Sequence, residues 1–156
     1  MVNNGDIIKI CGGKRGGYED MKKFELIEHT ADLGLAAYGK DLAGAFANAA
    51  YGMFSIIAEL GKVKEVESRR IEIKEDDAES LLFEWLNSLI YYFDVETLIF
   101  KRFDIVEFGE EHLAAMCYGE KCDPSRHHLK MGVKSATYYM LEVDREKNRV
   151  QVIFDV

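Results

Sequence analysis

Two stretches of this chain place apolar residues at helical spacing, and nearly everything around them reads as extended. Leu42, Phe46, Ala49, Met53 and Ile57 recur at steps of three or four residues, which lines them along one face of a helix. Leu82, Trp85, Leu86, Leu89, Ile90 and Phe93 repeat that pattern further on. Asp41 stands where the first helix needs an N-cap, and Gly61 is its expected stop. Asp76 and Glu79 have the spacing of a capping box ahead of the second helix. Strands are predicted over 24–27, 33–38, the end of 63–74, 98–108, 113–118, 133–143 and 149–154; Arg70-Ile71-Glu72-Ile73-Lys74 alternates as a half-buried strand does. The order β-β-α-β-α-β-β-β-β predicts an α+β fold, a two-layer sandwich with two main helices packed on a mixed, largely antiparallel sheet.

With 156 residues, the chain is sized for one domain with its own core. Residues 21–156 are expected to form that domain. Residues 1–20 read as a flexible N-terminal extension, because Cys11-Gly12-Gly13-Lys14-Arg15-Gly16-Gly17 is too glycine-rich for regular structure. That run lacks the residue order of a phosphate-binding loop. No apolar run approaches the roughly 18 residues that cross a bilayer, and the start has no apolar core of a secretory signal. The odd cysteine count, Cys11, Cys117 and Cys122, suits thiols in a reducing cytoplasm. A net charge of −8 argues against a phosphate-tracking surface and favours a basic protein partner or a cation.

Two places concentrate groups capable of chemistry. Glu28-His29-Thr30-Ala31-Asp32 crowds titratable side chains between two strands, where a scaffold tends to carry a site; a hydrogen-bonded surface turn is the plainer reading. The last residues, Phe154-Asp155-Val156, end an apolar strand with Asp155 facing away from Phe154. If Asp32 lies near Asp155 and the Val156 carboxylate, the converging anions need a proton or a cation, and hard oxygen ligands suit calcium or magnesium. Lys134, just inside a later strand, offers a fixed positive charge. Cys117 and Cys122, with His127 and His128 nearby, provide zinc-ligand types without the usual paired spacing. Motifs of serine hydrolases, zinc proteases and dinucleotide enzymes are missing. A metal-dependent hydrolase would have only His29 as a nearby base.

Met21-Lys22-Lys23-Phe24-Glu25 leading into Glu28-His29-Thr30-Ala31-Asp32-Leu33-Gly34 resembles the opening of the archeases. Leu98-Ile99-Phe100, Tyr118-Gly119-Glu120, Val133-Lys134-Ser135-Ala136-Thr137-Tyr138 and the closing Phe154-Asp155-Val156 extend that resemblance from about Met21 to Val156. It implies a small cytoplasmic accessory protein, not an enzyme, that activates the RtcB RNA ligase in tRNA splicing. Such a protein promotes guanylylation and multiple turnover of the ligase, broadens its nucleotide use, and meets tRNA only through the ligase. The resemblance also implies a divalent cation, calcium or else magnesium or manganese, held by Asp32, Asp155 and Val156. Lys134 matches a functionally important lysine, while His29 and Glu120 match motif positions. The alternative it carries is a chaperone of a tRNA cytosine methyltransferase. Tyr139 stands where the family usually has histidine, so no role falls to an imidazole there.

Overall fold

A computed structural model describes residues 22–29 and 32–156, with the His29 side chain outside that set. The expected 1–20 extension lies outside the described residues. The elements follow the predicted order: β1 (Phe24–His29), β2 (Asp32–Tyr38), α1 (Leu42–Ile57), β3 (Glu67–Lys74), α2 (Ala78–Glu96), β4 (Leu98–Phe108), β5 (His112–Lys121), β6 (Ser135–Asp144) and β7 (Arg149–Asp155). Two helices pack on antiparallel sheets, as the α+β expectation requires. The strands divide into a four-stranded sheet, β1-β2-β7-β6, and a three-stranded sheet, β3-β5-β4. All pairings among the described strands are antiparallel, so the sheet is not mixed. Each helix touches both sheets: α1 lies on β2 and β4, and α2 on β6 and β3.

The helices begin and end for local reasons. Asp41 caps α1 by accepting from the Gly44 N–H at 2.8 Å. The helix stops at Ile57, earlier than Gly61 suggested, because Ala58 turns extended and bridges to Leu129; Gly61 instead lies in a 3-10 turn, Leu60–Lys62. The second cap is Asp77, accepting from the Ser80 N–H at 2.7 Å, one residue beyond the expected Asp76. Thr97 ends α2 in the left-handed region with φ of 55°. The predicted apolar faces are buried: Phe46, Ala49 and Met53 on α1 meet Leu82, Trp85, Leu86 and Leu89 on α2 in one core. Trp85 Nε1 donates to the Phe46 carbonyl at 3.0 Å, so the largest core side chain is also satisfied.

One contact between the layers controls a sheet edge. Asn87 on α2 accepts from the Ala136 N–H through Oδ1 at 2.9 Å, and its amide donates to the Ala136 carbonyl at 3.4 Å. Two backbone groups on the free side of β6 are thereby occupied by a side chain rather than by another strand.

Candidate functional site

The run singled out as a turn is largely strand. β1 continues through His29, β2 begins at Asp32, and these two residues are partners in register across residues 30 and 31. β2 pairs on its other side with β7, the last registered pair being Leu33 and Phe154. One step further, the same register carries Asp32 alongside Asp155. Partners on antiparallel strands share a face. Asp32 and Asp155 therefore lie on the face of Gly34 and Ile153, away from the buried Leu33 and Phe154. β6 completes the row: Ser135 pairs with Asp155, and the Lys134 N–H donates to the Asp155 carbonyl at 2.7 Å. Backbone positions His29, Asp32, Asp155 and Lys134 thus lie across one end of the four-stranded sheet.

Gly34, two residues after Asp32, has a steric reason. A Cβ there would lie 2.8 Å from Ile153 Cδ1 and 3.2 Å from Ile27 Cβ. Its absence lets side chains from the two flanking strands close over β2 beside the acidic end.

Asp155 is exposed, Asp32 half-buried and Lys134 exposed. Among the described residues, the side chains of all three lack a hydrogen-bond or ion-pair partner. Two unsatisfied carboxylates on neighbouring strands, with Val156 following directly, fit the oxygen-donor chemistry of a hard divalent cation.

Glu120 occupies a different setting. It lies on β5 in the other sheet and is only 6% exposed. Arg126 grips it with Nη1 and Nη2, each at 2.8 Å; the Lys64 N–H donates at 2.8 Å, and His127 Nε2 lies at 2.8 Å. The Arg126 hydrogen bonds hold its carboxyl far below the usual range despite the opposing effect of burial, with help from Lys64 and His127. The neighbouring glycine explains the local pattern: a Cβ on Gly119 would fall 1.8 Å from the Ile99 carbonyl oxygen, so only glycine lets β4 and β5 close there. This network pins the segment from Cys122 to Lys134, which is also tied down by Lys130 Nζ to the Ser55 carbonyl at 2.7 Å. Among the described residues, no hydrogen bond or ion pair joins Glu120 to Asp32, Asp155 or Lys134.

The zinc ligand types noted around residues 117–128 are not assembled. Cys117 faces the core, and burial pushes its thiol up to about 12. The Asp123 N–H donates to His127 Nδ1 at 2.8 Å, so the ring proton sits on Nε2 and is donated to Glu120. Both ring nitrogens are therefore engaged. The one grouping of three metal-ligating side chains among the described residues is Glu72, Glu107 and His112, which the sequence pattern did not flag. Its members sit on three strands and are far apart in sequence; the available signal was their alternation on solvent-facing strand positions.

The archease protein family matches over residues 24–156. The chain belongs to the archease family. It is 38% identical over 138 residues to the archease of Sulfurisphaera tokodaii, covering 87% of this chain and 99% of that one. The archease of Pyrococcus abyssi is 39% identical over 128 residues, 80% of this chain and 90% of its own. The fold of this chain matches the solution structure of protein 1598 from Methanobacterium thermoautotrophicum, at a TM-score of 0.71 and 34% identity, over 87% of this chain and 100% of that one. A crystal structure from Thermotoga maritima, described as an archease and possible chaperone, aligns at a TM-score of 0.56 and 18% identity over 83% of this chain and 94% of that one, a likeness of fold. No described helix of this archease is long and apolar enough to cross a membrane.

Proposed function

We propose that this archease is an accessory protein of an RtcB-type RNA ligase in tRNA splicing, promoting guanylylation and repeated turnover and widening nucleotide use, and that the end of its four-stranded sheet is the working surface. The observation that carries this reading is the register that sets Asp32 beside Asp155, both without partners among the described residues. Asp32, Asp155 and Val156 would hold a divalent cation, calcium by donor type, with magnesium or manganese as substitutes. When bound, that cation supplies a compact positive charge at an otherwise anionic sheet end. The protein's own contribution is placement. β2 and β7 fix the spacing of the two carboxylates, and Lys134, tied to the Asp155 carbonyl through its backbone, brings a second positive charge to the same edge. His29, opposite Asp32 in register, belongs to the same row. Contact with tRNA passes through the ligase, consistent with the net charge of −8. In this reading the chain supplies no catalytic residue of its own.

Glu120 acts in this reading by holding the segment that leads to Lys134, rather than by touching the ligase. The test is ligation with limiting RtcB, with and without the archease. Wild type raises guanylylation rate and turnover; Asp155→Asn, folded normally, does not. Equal ligation with and without wild-type protein ends the proposal. A second reading, a chaperone of a tRNA cytosine methyltransferase, draws on the description of the Thermotoga maritima relative as a possible chaperone. Suppression of methyltransferase aggregation without any effect on ligation would select it.

A further inference from the structure

The three-stranded sheet carries its own constellation on the face turned from the helices. Glu72 on β3 and Glu107 on β4 are both register partners of Ala114 on β5, and His112 stands two residues from Ala114 on the same strand. All three side chains therefore share the face of Ala114. That face is the outward one, since the alternate residues Leu113, Ala115 and Cys117 are buried in the core. Yet Ala114 itself is 0% exposed. Its small methyl leaves a floor over which the longer neighbours fold together. His112 Nε2 lies 2.9 Å from Glu72 Oε2, and Nδ1 lies 3.5 Å from Glu107 Oε1. One ligand atom from each residue falls within 4.8 Å of the others.

The geometry points to a second cation site here, for a borderline divalent ion such as Zn2+, with His112 supplying nitrogen and Glu72 and Glu107 supplying oxygen. A nitrogen donor with two carboxylates suits zinc better than a pair of carboxylates alone, which suits calcium. The three ligands come from adjacent strands, so the backbone holds them in place before any ion arrives. They remain half-exposed or exposed, which leaves solvent-facing coordination positions for water or a partner's oxygen. Two cationic neighbours set the limits of affinity: Arg70 Nη2 lies 3.9 Å from Glu107 Oε2, and Lys74 pairs with His112 in register. Both are at the sheet surface and are able to swing away when the carboxylates turn toward an ion. This site is independent of the ligase-activating reading, because it lies on the other sheet.

Calorimetric titration of ZnCl2 into the full chain tests the assignment, with Co2+ absorption as a spectroscopic readout of ligand type. The expected result is binding that weakens by at least about tenfold in His112→Ala and in Glu72→Gln, and survives in Asp155→Asn and Cys122→Ser. Circular dichroism identifies the folded variants, and the surface position of both glutamates makes Glu107→Gln a second probe if His112→Ala is poorly folded. Binding of zinc that is unchanged in His112→Ala and Glu107→Gln, or lost only in Cys122→Ser, overturns the site, as does an absence of zinc binding by wild type.

Discussion

Asp155 and Glu120 are both acidic residues on strands of the same small domain, and their surroundings are opposites. Asp155 ends β7 in solvent, beside Asp32, with its carboxylate unpartnered among the described residues. Glu120 is sealed in the second sheet with its acceptor capacity taken by Arg126, Lys64 and His127. The contrast separates two ways a carboxylate is used. An internal one whose bonds are all made inside the fold supports structure, because removing it leaves donors such as the buried His127 N–H without an acceptor. An external one with bonds unmade is available to something outside the fold.

The largest effect that would break this comparison is on stability. Glu120→Ala should cost about 2 kcal/mol by urea unfolding, because the buried His127 N–H loses its acceptor and the half-exposed Arg126 loses its bidentate partner. Asp155→Asn should stay within about 0.5 kcal/mol of wild type. Comparable losses for the two would show that Asp155 is structural as well. Next comes calcium affinity. Asp155→Asn and Asp32→Asn should each weaken it by about tenfold, or about 1.4 kcal/mol, while Glu120→Gln should leave it nearly unchanged. A calorimetric titration that finds no calcium binding by wild type removes the functional half of the contrast. Extending the chain beyond Val156 should weaken calcium binding by a smaller factor and leave thermal unfolding alone, if the terminal carboxylate is a ligand; equal affinity in both forms would assign Val156 to packing only.

The finest test uses pH. The folded carboxyl of Glu120 is depressed, so its stabilisation is complete above the ordinary glutamate pKa of about 4.3 and fades as pH falls below it toward the folded value. Melting temperature of wild type should therefore drop more steeply below that pH than that of Glu120→Gln. Parallel profiles would mean that the Arg126 grip contributes nothing net.

The order of elements was legible because helical and alternating periodicities are local. Phe46 to Ile57 and Leu82 to Phe93 announced their helices without reference to anything distant. The division into two sheets was not legible, since it depends on β7 choosing β2, a pairing that spans most of the chain, whereas the β6–β7 hairpin is local and could be read from its two strands. Asp76 and Asp77 are chemically identical candidates for a cap, and only backbone placement picks the second. Within the candidate site, residue types and strand alternation gave the ligand candidates and the facing of Asp155. The meeting of Asp32 with Asp155 needed the register. Glu120 was singled out by its motif, but its burial was hidden because Arg126 and His127 lie in an irregular segment with no period to read. They follow it by six and seven residues, and that charge complement was the signal available.

The amide of Asn87 has a consequence beyond local geometry. By answering both backbone groups of Ala136, it lets a helix stand in for the strand that β6 does not have. Neighbouring copies at high concentration then find no ready template along this stretch of the edge, and intermolecular zippering there requires α2 to peel away first. A single side chain thus makes the colloidal behaviour of the protein depend on the docking of one helix.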